Sequence, residues 1–586
     1  VQKSALSIAF LAVAAVAISA AAPVAGQTAE TGSVEPFAAE LRAIVPTGSA
    51  EVVEAAGISR SGRRLISLET TEPLDGARRR LVIVGGLDGD RSSALIVLAF
   101  LKWWLQDQQA AELKKQWQIV AVPCARPDGC GSPAPTIVAR AADFPPPIEG
   151  FYAAAEGAET RYLWRWTALQ GPDLVLEVRT GSQVRWELNR LAHGRLPGEQ
   201  RADTSSLAGA LGEHPPSGLA PVPAAGVSTP PEQATDVLRQ FLERADQALR
   251  EPSALRQALA ARVSRPPAAV ARLLAGAYPT NPDLGYVPAV TWSAMLRLGA
   301  LTGESQWRDK VRRQTRPLIA GGGKPAAPGP VNTGTTAGHA ALHDLAVLEG
   351  NRELEALARR AADSMLPPPP ETIARFRTED MFMTPFLLSR VGARSGDERY
   401  ASALGRHLVA SADKLQREDG LFVHATGSPF AWGRGNGFAA LGLSEALLRL
   451  PASASARARL LSVYTRQMQA LVRWQAPDGM WREIVDEPGS YRELTATSMI
   501  MTALARGLRG GWIGVEFRAV VDRAWRGLLA RIADDAALLD VCISTGGGPD
   551  KQYYLDRTAI AGTDDRGGAM ALVAAVEMAE LLGAPR

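Results

Sequence analysis

The feature that most restricts what this chain can fold into is a repeat in its C-terminal half. Gly303-Glu304, Gly350-Asn351 and Gly396-Asp397 are spaced by 47 and 46 residues. Each pair ends one run of apolar residues at helical spacing and opens another, and the third residue after each pair is Trp307, Leu354 or Tyr400. That spacing is the length of a helix–turn–helix hairpin. Looser counterparts fall near Pro451 and Gly510. A second echo sets Gln416-Arg417-Glu418-Asp419-Gly420-Leu421-Phe422 against Gln475-Ala476-Pro477-Asp478-Gly479-Met480-Trp481. Both segments follow a long helix, so both belong on one rim of the assembly. Counting periodic runs from Pro266 gives about twelve helices, or six hairpins. Six hairpins close into an (α/α)6 toroid, although the periodicity also fits an open solenoid.

The N-terminal half is written differently. Strand-like runs rich in Val, Ile and Leu lie at Arg64–Thr70, Arg80–Val84, Gln118–Val122 and Leu174–Val178. Helical patterns at Ser92–Lys115 and Thr160–Leu169 lie among them, so a mostly parallel sheet is expected. Gly194–Pro231 is rich in Pro, Gly, Ala and Ser and reads as loop. A helix resumes at Glu232–Arg250. With 586 residues the chain exceeds one ordinary core. The expected organisation is a signal peptide at 1–26, an α/β domain at 38–230, a helical linker at 231–265 and the helical domain at 266–586.

The signal reading rests on Lys3, the apolar run Ala5–Ala22 and the small-residue region Pro23-Val24-Ala25-Gly26. An exported protein with no membrane span after cleavage is the expectation. A net charge of +3 without a basic run leaves no electrostatic footprint for nucleic acid. Cys124, Cys130 and Cys542 are too few for a disulfide framework, though the first two can pair across a short loop. None lies beside a histidine in sequence, which argues against a catalytic thiol.

Three segments of the α/β half, Gly85-Gly86-Leu87-Asp88-Gly89-Asp90-Arg91, Val122-Pro123-Cys124-Ala125-Arg126-Pro127-Asp128-Gly129 and Pro172-Asp173-Leu174-Val175-Leu176-Glu177-Val178-Arg179, resemble the ligand-bearing turns and strand of the zinc carboxypeptidases. That family's His, Glu and second His positions are Asp88, Arg91 and Arg179 here, and arginine cannot ligate a metal. The resemblance therefore implies a degenerate, metal-free scaffold or carbohydrate-docking domain, with those three residues as an internal ion-pair cluster.

The helical half resembles glycoside hydrolase families 88 and 105, the unsaturated uronyl hydrolases. The resemblance is carried by Thr378-Glu379-Asp380-Met381-Phe382-Met383-Thr384-Pro385-Phe386-Leu387, Asp419-Gly420-Leu421-Phe422-Val423-His424 and Trp432-Gly433-Arg434-Gly435-Asn436-Gly437-Phe438. Gly546-Gly547-Gly548-Pro549-Asp550 and Tyr553-Tyr554-Leu555-Asp556-Arg557, with Asp565 and Gly568, complete it. It implies an (α/α)6 barrel that removes a terminal 4,5-unsaturated uronic acid from lyase-generated oligosaccharides of the pectin or rhamnogalacturonan type. The acid protonates C4 of the vinyl ether, water adds at C5, and the hemiketal collapses. No metal or cofactor is implied.

The catalytic candidate is Asp380. Its plain alternative is a first-turn acid facing the helix dipole. The substrate-binding candidates are His424, Trp432 as a ring platform, Arg434 as a carboxylate fork, Asn436 and Tyr553. Asn436 is equally well a helix cap, and Tyr553 and Tyr554 either line the cleft or pack. Where the family has a second aspartate, this chain has Thr333. Two rival readings are a non-catalytic carbohydrate-binding protein and a sugar epimerase using His339 and His343, which share one helix face.

Overall fold

The computed structural model describes residues 37–130, 143–154, 157–198, 200–320 and 332–583. The signal segment expected at 1–26 lies outside them. In the helical half each of the three glycines ends a helix with positive φ: Gly303 at 76°, Gly350 at 65° and Gly396 at 68°. That left-handed cap is where a residue without Cβ is favoured. Asn351 and Asp397 then cap the following helices through their side chains.

For the helices that position the site we use α1 (Arg91–Gln106), α2 (Ala158–Leu169) and α3 (Ala234–Ala248) in the first half. The barrel comprises α4 (Pro267–Ala277), α5 (Tyr286–Thr302), α6 (Ser305–Ala320), α7 (His339–Glu349), α8 (Arg352–Ser364), α9 (Asp380–Ser395) and α10 (Glu398–Leu415). It continues through α11 (Gly433–Arg449), α12 (Arg457–Val472), α13 (Leu494–Arg509), α14 (Arg518–Ala530) and α15 (Asp565–Leu581).

Helices α5, α7, α9, α11, α13 and α15 pack each against the next, and α15 packs back on α5. The ring is closed, which excludes the open solenoid. Each inner helix has an antiparallel outer partner: α6, α8, α10, α12, α14 and, for α15, α4. Composition follows position. Every residue from Gly433 to Leu447, Leu494 to Gly507 and Gly567 to Ala579 is buried, as expected of helices enclosed on all sides. Outer α8 buries only Leu354, Ala358, Ala361 and Ala362. At Gly442 a Cβ would fall 1.7 Å from the Met381 carbonyl oxygen, so α9 and α11 cross closer than any side chain permits.

The echoed segments are equivalent in detail. Gln416 Nε2 donates to the Gly420 and Val463 carbonyls, and Gln475 Nε2 donates to the Gly479 and Val520 carbonyls. Each glutamine thus ties its own turn to the next outer helix, on the rim where the inner helices begin.

At the other end, each inner helix contributes one charge to a buried chain. Asp344 pairs with Arg390 at 3.1 Å, Arg390 with Glu445 at 2.9 Å and Glu445 with Arg506 at 2.8 Å. Arg506 pairs with Glu577 at 2.6 Å, and Glu577 with Arg297 at 2.8 Å. Burial pushes the Glu577 carboxyl up, but Arg297, Arg506 and Arg509 prevail and bring it down to about 2. Glu445 is held well below the usual range in the same way.

The first half carries an eight-stranded sheet in the order β1-β2-β4-β3-β5-β8-β6-β7. The strands are β1 (Glu51–Ile58), β2 (Arg64–Thr70), β3 (Arg79–Gly85), β4 (Trp117–Val122), β5 (Leu174–Thr180), β6 (Arg185–Leu188), β7 (Gln200–Arg201) and β8 (Ala224–Thr229). The four expected strands are present. The sheet is mostly parallel, with β4, β3, β5 and β8 parallel and β6–β7 likewise, while β1–β2, β2–β4 and β6–β8 are antiparallel. The stretch read as loop holds β8, whose small residues fit between the buried strands yet mimic loop composition. The expected cluster of Asp88, Arg91 and Arg179 does not form. Arg179 pairs with Glu177 and Glu187, Asp88 accepts from Ser93 Oγ, and Arg91 lies over Phe37. Cys124 and Cys130 form a disulfide.

Sheet and barrel belong to one compact unit. Glu54 pairs with Arg482 at 2.7 Å, Arg64 with Glu487 at 2.6 Å, Glu69 with Arg492 at 2.6 Å and Arg165 with Asp540 at 2.6 Å. Tyr152 stacks between Tyr162 and Tyr491. Among the described residues no helix is long and apolar enough to cross a membrane.

Candidate active site

Because every hairpin runs the same way, the six inner helices begin on one rim. Their N-termini direct unpaired N–H groups and the positive ends of six dipoles to the same mouth, a setting that favours carboxylates and anionic ligands. Four acids already occupy it. Glu493 caps α13 by accepting from the Thr495 and Ala496 N–H groups, Asp564 caps α15, and Glu379 and Asp380 stand at the start of α9.

Glu379 and Asp380 are neighbours, yet they face different surroundings. Asp380 accepts from Thr333 Oγ1 at 2.8 Å and pairs with Arg377 at 3.1 Å. Glu379 is buried, and its Oε1 lies 3.2 Å from His424 Nε2. His424 Nδ1 is 2.8 Å from the Tyr554 hydroxyl. A ring protonated at Nε2 donates to Glu379 and leaves Nδ1 to accept from Tyr554, which satisfies all three. Burial pushes the Glu379 carboxyl up, but the interaction with His424, its hydrogen bond first, and the nearby Arg377 charge outweigh it and hold the group below the ordinary carboxylate range.

Behind this triad the His424 ring lies 4.3 Å from that of Trp432. The Arg557 guanidinium lies 4.7 Å from the ring centres of Trp432 and Tyr554 and 5.1 Å from that of Tyr553. The run Gly546–Gly548 crosses above. A Cβ at Gly547 would fall 2.9 Å from Ser428 Oγ, 3.1 Å from a terminal nitrogen of Arg375 and 3.4 Å from His424 Cε1, so a side chain here would displace these groups.

The structure therefore brings His424, Trp432 and Tyr553 together, with Tyr553 the exposed member. It assigns three expected residues to other work. Trp432 is fully buried as a floor beneath His424, not an open sugar platform. Arg434 is buried with its fork spent on the protein: Nε donates to Thr495 Oγ1 at 2.7 Å, and the two terminal nitrogens reach the Ser544 and Cys542 carbonyls. Asn436 neither caps nor faces the mouth, but pairs with both backbone groups of Phe422 and pins the loop that carries His424.

Glu379 and Arg557 are the residues that reading the sequence did not single out, and Tyr554, left between lining the cleft and packing, reaches His424. The adjacent acids were the available signal for Glu379. Successive residues at a helix start diverge by about 100°, so only one of the pair can turn toward His424. His339 sits on the Thr336 carbonyl and His343 is buried beside Asp344.

Residues 270–582 match the model of Glycosyl Hydrolase Family 88, more than half of the chain. The chain belongs to that family. It is similar to the unsaturated 3S-rhamnoglycuronyl hydrolase of Alteromonas sp. (strain LOR), with 26% identity over 168 residues, 26% of this chain and 41% of that protein. It is also similar to the unsaturated rhamnogalacturonyl hydrolase YesR of Bacillus subtilis (strain 168), with 27% identity over 175 residues, 28% of this chain and 49% of that protein. The chain thus spans less than half the length of these relatives. A solved family 105 glycoside hydrolase from C. acetobutylicum ATCC 824 matches 52% of this chain and 98% of its own, at 18% identity and a TM-score of 0.49.

Proposed function

We propose that the protein is a glycoside hydrolase that removes a terminal 4,5-unsaturated uronic acid from lyase-generated oligosaccharides, with pectin- or rhamnogalacturonan-type fragments as the substrate class. The observation that carries this reading is the Glu379–His424–Tyr554 triad, set at the mouth of the barrel within the span matched by the family. Glu379 is the acid/base residue, in place of the adjacent Asp380 that the sequence favours. It is ionised in the empty site, and an entering uronate raises its proton affinity through like charge. Proton transfer to C4 from Glu379, with His424 at 3.2 Å as the nearest exchange partner, activates C5 toward water. Asp380, held by Arg377 and Thr333, orients the start of the helix.

The test is the loss of ultraviolet absorbance of an unsaturated uronyl disaccharide. Glu379→Gln should lower kcat by roughly 10²–10⁴-fold, the range of general acid–base contributions, while Asp380→Asn loses less. The reverse order returns the role to Asp380. Binding without turnover by the wild type favours a non-catalytic carbohydrate-binding protein and makes Thr333, at the position of the missing aspartate, the first residue to restore.

For the α/β half we propose a supporting role on a degenerate carboxypeptidase-like scaffold. The ion pairs from Glu54, Arg64 and Glu69 support this, since they brace the segment 482–492 that leads into the site. Peptidase activity abolished by a chelator would refute it. Export is proposed as well, and the Cys124–Cys130 disulfide suits an oxidising compartment.

A further inference from the structure

A second acid lies behind the sugar-facing groups. Glu483 follows the short strand β9 (Trp481–Arg482), which pairs with β10 (Arg492–Glu493), and it is fully buried. Its backbone is fixed on both sides. Its N–H donates to the Tyr491 carbonyl at 2.8 Å, and its carbonyl accepts from Gly433 at the start of α11 at 2.7 Å. Oε1 accepts from Arg557 at 3.3 Å and from the Cys542 thiol at 3.4 Å.

Among the described residues, Oε2 has no partner. Trp432 Nε1 and Arg557 Nε, on the two residues stacked beside it, are likewise buried and unpartnered. Buried polar atoms are normally paired. Three without partners in one cluster leave Arg557 with a donor uncommitted and Glu483 with an oxygen able to accept a proton.

Arg557 connects this cluster to the mouth. Its guanidinium lies over Tyr553 and Tyr554 and also donates to the Ser544 and Gly546 carbonyls, while its Nε stays free among the described residues, and the Tyr554 hydroxyl reaches His424. We propose that Glu483 is a positioning residue that takes up a proton when a uronate binds, releasing Arg557 from its ion pair to face the sugar carboxylate. This rests on the reading that the mouth receives a uronate. One proton passes from solvent to the Glu483 carboxylate, and no other bond changes.

The groups facing Glu483 set its sensitivity. Arg557 and Arg434 are the cations, Glu493 and the Cys542 thiol the acids, and the Tyr491 hydroxyl stands beside Cys542. Burial raises the carboxyl, Arg557 opposes, Glu493 raises it again, and the balance lies at about 7. An anion beside Arg557 weakens the principal opposing charge, so the carboxyl rises further and protons are taken up around neutrality.

The experiment is calorimetric titration of the full chain with a saturated galacturonate disaccharide, which lacks the vinyl ether and is not turned over. It is run at pH 7 in two buffers of different ionisation enthalpy. The wild type should take up roughly 0.3–0.5 proton per ligand, as expected for a shift of about one unit from neutrality. Glu483→Gln should bind with clearly less uptake, leaving only the share taken by Glu379, and Glu483→Asp should retain more of it.

Wild-type uptake should also peak near pH 7 and fall away at pH 5 and pH 9, a readout that needs no variant. Binding without uptake, uptake unchanged in Glu483→Gln, a maximum elsewhere, or no binding overturns the proposal. Turnover of the unsaturated disaccharide by the wild type is scored separately. Turnover without proton uptake sinks only this inference, and uptake without turnover sinks only the hydrolase reading.

Discussion

The buried charge chain that crosses all six inner helices yields the most exacting stability prediction. Glu445 stands at its centre and is 2% exposed, with Arg390 at 2.9 Å, Arg506 at 2.8 Å and Arg449 at 2.5 Å. Glu445→Gln keeps the shape but removes the charge that separates these guanidinium groups. Arg390 retains Asp344 and Arg506 retains Glu577, so neither is orphaned. Removing one partner of a buried pair costs about 3–5 kcal/mol, and the remaining carboxylates place this loss near the lower figure, about 3 kcal/mol. The control is Glu355→Gln, whose partner Arg394 is 55% exposed. An exposed pair of this kind contributes about 1 kcal/mol or less. Equilibrium urea denaturation, followed by circular dichroism and tryptophan fluorescence, separates the two. Equal midpoints for the two variants would refute the assignment of a larger stability contribution to the buried chain than to an exposed pair.

Four further outcomes follow from the same geometry. Glu577, brought down from 4.5 to about 2, contributes stability that is complete above its unfolded value and is lost as pH falls through the folded one. A decline of about 3 kcal/mol between pH 5 and pH 2 is expected, measured as Tm against pH, and a flat profile counts against it. Glu483 has the opposite sign: raised to about 7, it costs stability as pH rises above 4.5, so Glu483→Gln should gain about 3 kcal/mol over wild type at pH 8 and nothing at pH 4. Arg434→Lys loses a fork that binds Thr495, Ser544 and Cys542, and should lower stability by about 1–3 kcal/mol in thermal melts. Glu69→Gln breaks the buried contact with Arg492 and weakens that with Trp166, so barrel and sheet should both melt earlier, by about 3 kcal/mol. Loss confined to one half would show that they do not stabilise each other.

What the sequence determined by itself is what depends on short-range pattern. The glycine–cap pairs at Gly303, Gly350 and Gly396 set where hairpins turn. The matched segments at Gln416 and Gln475 define a common rim, and the apolar runs at β2, β3, β4 and β5 define strands, because each is written within a few consecutive residues. The motifs around Glu379, His424 and Trp432 likewise located the mouth. Their neighbours' duties were not legible. Whether Glu379 or Asp380 turns inward depends on how α9 is rotated against α11, and that is fixed by the crossing at Gly442. Arg434 and Asn436 carry the same donors for a sugar as for a carbonyl, and only the presence of Ser544, Cys542 and Phe422 beside them decides between the two. β8 lacks a strand-like composition because packing between strands, not propensity, makes it one. The chain from Asp344 to Glu577 joins residues far apart in sequence. Its charges acquire partners only when the ring closes, since an ion pair is a property of distance in space and the sequence records only order.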